Sequence, residues 1–111
     1  MPDAVTDPRE RISAVANHLS MSKTCARLLL RLYDAGGKPV HRELLMDEIA
    51  ALSRDVLKSN VYQMRQAVGD GIIGVQRGSS GLGYSLTPRG LSLVLCALNP
   101  PELTRVIGEW Q

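Results

Sequence analysis

Between Arg54 and Leu86 the apolar pattern changes period once, and that change limits the folds open to the chain. Leu57, Val61, Met64 and Val68 recur at i, i+4, i+7 and i+11, one stripe of an amphipathic helix over 54–68. Gly69 stops it. Residues 71–77, GIIGVQR, then have strand character in Ile72, Ile73 and Val75. Residues 82–87 pair back on them, and Gly78-Ser79-Ser80-Gly81 makes the connection. That connection reads as longer and more flexible than a tight two-residue turn requires.

Helices flank this unit. Thr6 or Asp7 caps a first helix with Pro8 at its first position, where a missing N–H costs nothing. The helix runs to about His18, with Ile12, Val15, Ala16 and Leu19 as its buried stripe. Ser20 or Ser22 caps a second helix that ends near Gly36-Gly37 and buries Cys25, Leu28, Leu29 and Leu32. Lys38-Pro39-Val40 is extended. A third helix covers about 41–52 and buries Leu45 and Ile49. Thr87 caps a fifth helix over 88–98, with Leu91, Val94, Leu95 and Leu98 inward, and Asn99-Pro100-Pro101 ends it. A last short helix spans 101–110 and closes on Trp110. The resulting fold class is mainly α with a small β-hairpin (α+β). Three helices followed by a two-stranded hairpin is the order of a winged helix-turn-helix, with extra N- and C-terminal helices.

Composition narrows the function classes. At 111 residues, 44% apolar and 22% charged, the chain suits one ordinary globular domain. No apolar run approaches the roughly 18 residues of a membrane span, and MPDAVTDPRE lacks a secretory pattern, so a cytoplasmic location is expected. Cys25 and Cys96 stand far apart among apolar residues and read as small core side chains without a disulfide. His18 and His41 read as surface or cap residues. No nucleophile–base pair, metal cluster or paired carboxylate is present. Asp47 and Glu48 are adjacent, which on a helix points them about 100° apart. An enzyme is not expected, and neither is a metal or cofactor.

The net charge is +2, but its distribution is uneven. Between Ser53 and Gly90, five basic residues (Arg54, Lys58, Arg65, Arg77, Arg89) face two acids, Asp55 and Asp70. That is the footprint of an anionic partner. Opposite the core stripe of the fourth helix lie Asp55, Ser59, Tyr62, Gln63 and Gln66, flanked by Lys58 and Arg65. Gln can engage adenine through a bidentate pair in the major groove, and basic flanks suit phosphates. RGSSGLG is not a phosphate loop, since a strand rather than a helix follows it. As a wing it makes sense: Arg77 stands at its base, and small residues allow close backbone approach. Lys23, Arg27 and Arg31 step by four along the second helix, either as a solvated face or as a phosphate-facing ridge. Their like charges repel and call for compensation.

The run RDVLKSNVYQMRQAVGDGIIGVQRGSSGLGYSL resembles the winged-helix effector domain of OmpR-type response regulators. The likeness covers roughly residues 38–86. It rests on the helix spacing, on Met64-Arg65, on Arg77-Gly78 and on Gly83-Tyr84. The segment after it, LTPRGLSLVLCAL, is similar to the helix that follows the wing in MarR-type regulators. No receiver domain or leading β-platform accompanies it, and the wing has extra residues from Ser79 to Leu82. The resemblance implies a flexible end over 1–7 and a single winged-helix domain over 8–111. It also implies a double-stranded DNA-binding transcriptional regulator. The residues implied to contact DNA are Arg54, Lys58, Ser59, Tyr62, Gln63, Arg65, Gln66, Arg77, Ser79 and Ser80. Tyr84 belongs to the wing's core. A homodimer through the terminal helices suits a module of this size, with Trp110 either anchoring that contact or folding back on the core. The alternative is a winged-helix module that binds RNA polymerase or another regulator.

Overall fold

The second helix is the centre around which the rest is organised. The computed structural model describes residues 7–50, 53–78 and 81–99. In it α1 spans Pro8–Leu19, α2 Lys23–Asp34, β1 Val40–His41, α3 Arg42–Glu48, α4 Arg54–Val68, β2 Ile73–Gly78, β3 Gly81–Leu86 and α5 Pro88–Leu98. Helix α2 packs against α1, α3, α4, α5 and β3. It can do so because Cys25, Ala26, Leu28, Leu29, Leu30 and Leu32 are all buried, a stripe wide enough for several neighbours. Leu28, Leu29, Leu32, Leu45, Leu57, Met64, Ile72, Val15 and Val94 fill the core. Each such aliphatic side chain contributes about 1.5–3 kcal/mol by leaving water. The fold is α+β: among the described residues, five α-helices and one small antiparallel sheet.

The helix starts follow the capping residues. Asp7 caps α1 through its carboxylate and Arg9 N–H (2.8 Å). Ser22, rather than Ser20, caps α2 through Cys25 N–H (3.2 Å). Ser20 instead ends α1 in the left-handed region at φ 55°. Ser53 caps α4, and Thr87 caps α5. Thr87 does more. Its hydroxyl accepts from Gly90 N–H (3.2 Å) and donates to the Gly71 carbonyl (2.8 Å), and its own N–H donates to the Ile72 carbonyl (3.0 Å). One residue thus joins the start of the hairpin to the start of α5.

Several expectations are corrected. The third helix is shorter than 41–52: it stops at Glu48, with Ala50 at φ 52°. His41 lies outside it, in β1, where Nδ1 accepts from Glu43 N–H (3.1 Å) and caps the helix. The sheet has three strands rather than two, in the order β1-β3-β2, because Val40 and His41 pair with Tyr84 and Gly83. The first hairpin strand begins at Ile73, since residues 70–72 form a 3-10 turn, and the second is Gly81–Leu86. Gly78 pairs with Gly81, so only residues 79 and 80 lie between the strands. Cys96 is exposed rather than buried, and so is Leu95, because the core side of α5 is taken by Gly90, Val94, Ala97 and Leu98. Ser79, Ser80, the helix expected over 101–110 and Trp110 lie outside the described residues, as does the end expected over 1–6.

Candidate nucleic-acid interface

Helix α4 turns Leu57, Val61 and Met64 into the core, and the geometry of its other side follows from that choice. Arg54, Asp55, Lys58, Ser59, Tyr62, Gln63 and Gln66 are exposed. Among the described residues Tyr62 is the most open of the large hydrophobic side chains, at 63%. Its largely apolar ring therefore stands in solvent. Val56 is also exposed. Asn60 points along the helix and donates from Nδ2 to the Val56 carbonyl (2.9 Å).

The expected residues fall into distinct groups. Lys58, Ser59, Tyr62 and Gln66 are open on one helix face. Gln63 is exposed but touches the α2 side: its Oε1 lies 3.8 Å from the Cys25 Sγ, which also approaches the Asn60 carbonyl and Oδ1 (both 3.5 Å). Arg54 is 60% exposed, with its guanidinium 3.9 Å from the Glu43 carboxylate, which also lies 3.9 Å from Arg42. Arg65 departs from the expected role. It is half-buried, and its Nη2 donates to the Ile73 carbonyl (3.5 Å), so it braces the start of β2 against α4.

In the hairpin, Ile73, Val75 and Arg77 oppose Leu86, Tyr84 and Leu82, so they share one face of the sheet. Ile73, Tyr84 and Leu86 are buried there, whereas Val75 and Arg77 emerge as the strands leave the body. The other face carries Gly74, Gln76 and Gly78 against Ser85, Gly83 and Gly81. His41 pairs with Gly83 and lines a shallow hollow with Pro39, Gln76 and Arg77. A Cβ on Gly81 would lie 2.7 Å from the His41 Nε2, and Gly81 has φ +121°. The tip is therefore seated on β1. Sequence reasoning missed His41 as part of this support, since a two-residue strand leaves no periodic signal.

On α2, Lys23, Arg27 and Arg31 do not form a uniform ridge. Arg27 Nη2 donates to the Glu48 carbonyl (2.6 Å) and lies 3.7 Å from the Glu48 carboxylate, which supplies the compensation that like-charge spacing called for. Among the described residues, no group of three or more His, Cys, Asp or Glu could hold a metal ion. Among them too, no helix is long and apolar enough to cross a membrane. No family model matches the chain, and no curated protein or solved structure matches it.

Proposed function

We propose that the chain is a winged-helix, sequence-specific regulator of transcription that binds double-stranded DNA in the cytoplasm and is not an enzyme. In this reading α4 enters the major groove and the β2–β3 hairpin is a wing against the adjacent backbone or minor groove. The observation that carries it is the outer face of α4. Ser59, Tyr62, Gln63 and Gln66 stand exposed with Lys58 beside them, and an Arg77-bearing hairpin projects from the same body. The order β1, α3, α4, β2, β3, with β1 closing the sheet, further supports a winged helix. Gln66 and Gln63 suit base edges, and Tyr62 and Ser59 suit bases or sugar-phosphate. Lys58, Arg54 and Arg77 suit phosphates, Arg54 by exchanging the Glu43 carboxylate for one. Arg65 acts indirectly by fixing the hairpin on α4. A homodimer suits so small a module.

The test is fluorescence anisotropy with a random-sequence duplex and with genomic fragments from the protein's own neighbourhood, at low and physiological salt. Salt-sensitive binding with one fragment preferred is the expected result. Gln63→Ala and Gln66→Ala should then lower preference for that fragment by about tenfold each, while Arg77→Ala lowers affinity for both duplexes alike. Absence of binding at low salt overturns the reading. It would favour a module for RNA polymerase or another regulator, for which exposed Leu44 and Val56 would be the contact.

A further inference from the structure

Away from the α4 face, α1 and α2 enclose a hollow with a cavity volume of ≈ 130 Å³. Its lining includes the apolar Pro8, Ile12 and Leu30, the basic Arg11, Arg27 and Arg31, and the acidic Asp34 and Glu48. Arg11 is held by Asp34 (2.8 Å), and Arg27 by Glu48. Among the described residues Arg31 has neither an ion-pair nor a hydrogen-bond partner. Among the described residues the lining therefore retains one uncompensated positive charge beside apolar side chains.

We infer that this hollow binds a small carboxylate with a short apolar body. The charge selects a monoanion, because a dianion would also face Asp34 and Glu48. The fork of donors on Arg31 matches the two oxygens of a carboxylate. The volume selects the size: a protein cavity of about 150 Å³ holds benzene, so a body of about six heavy atoms fits. Arg27 gives the site a second consequence. Its side chain lines the hollow while its guanidinium reaches the last turn of α3, so a bound carboxylate competes with Glu48 for it. Occupation is thereby felt at Ile49 and Ala50, where α3 ends.

The experiment is an amide-resolved NMR titration of the full chain, without DNA, using hexanoate, hexan-1-ol and inorganic phosphate as probes. Hexanoate should give saturable shifts at Arg11, Ile12, Arg27 and Arg31, and at Ile49 and Ala50. It should bind at least about tenfold more tightly than the other two probes. Arg31→Gln should weaken hexanoate about tenfold, the loss of one charge-assisted pair, while the rest of the spectrum keeps its dispersion. Among the described residues Arg31 has no partner whose loss would unfold the chain. The inference is overturned by unsaturable hexanoate shifts, by equal binding of hexan-1-ol or phosphate, or by an unchanged affinity in Arg31→Gln. Because no DNA is present, its failure is separate from failure of the DNA-binding reading.

Discussion

At the base of the β2–β3 hairpin, a Cβ on Gly90 would stand 2.6 Å from the Ile72 carbonyl and 2.9 Å from the Leu86 Cδ2; near the tip, a Cβ on Gly78 would meet nothing within 4 Å among the described residues. Helix α5 presses its first turn onto the base through a residue without a side chain. Thr87 locks the approach with its three hydrogen bonds. Among the described residues, the tip is held by strand pairing and by the seat that His41 provides beneath Gly81. The difference teaches that glycine content alone does not report flexibility. The same residue type makes a junction against backbone at Gly90, rests on a side chain at Gly81, and stands in open surroundings at Gly78 among the described residues. A projecting hairpin needs both, because a lever fixed at one end can carry Arg77 to a surface without unfolding its root.

Substitutions can break this contrast. Gly90→Ala should have the largest effect, a loss of about 3 kcal/mol in urea unfolding, since the added methyl meets a backbone carbonyl that cannot rotate away. A loss below about 1 kcal/mol would show that the base is not tightly joined. Thr87→Ala should cost about 2 kcal/mol by removing the cap and the bond to Gly71 together, and hydrogen exchange should quicken at Gly90. Gly81→Ala should cost about 1 kcal/mol, from its positive φ and the contact with His41. His41→Ala should relieve the steric part of that cost, so a double-mutant cycle should show coupling between the two. Gly78→Ala should lie within about 0.5 kcal/mol of the parent, because its surroundings are open. A larger loss there would mean that the tip is as constrained as the base.

How much of this was legible in the sequence depends on the physical signal each element leaves. Helices α1, α2, α4 and α5 announce themselves by a full apolar stripe and a capping Asp, Ser or Thr, and their bounds agree closely with the structure. Helix α3 was over-extended, because ELLMDEIAAL keeps helical composition past Glu48 and offers no Gly or Pro stop. It ends where Ala50 turns to φ 52°, and Arg27 from α2 satisfies the Glu48 carbonyl there. Strand β1 was read only as extended chain, since its pairing with β3 is a tertiary event. The inward set of α5, Leu91, Val94, Leu95 and Leu98 with Cys96 also in the core, is too wide for the arc that the helix turns inward. Val94 and Ala97 win the core, and Leu95 and Cys96 are left outside. On α4 the exposed polar face was readable from angle alone, but the bracing role of Arg65 was not. It depends on where the Ile73 carbonyl arrives after the turn at 70–72.

The packing of α1 against both α2 and α5 has a kinetic consequence. The contact with α2 is local, whereas the contact with α5 joins segments separated by most of the described chain. During synthesis, the first two helices can pair early, but the part of α1 that packs on α5 stays unshielded until α5 leaves the ribosome. The hairpin cannot be clamped at Thr87 before that moment either. Completion of the core and anchoring of the projecting arm thus coincide, and a ribosome-stalled fragment ending before residue 88 should be a substrate for chaperones rather than a weakened version of the finished protein.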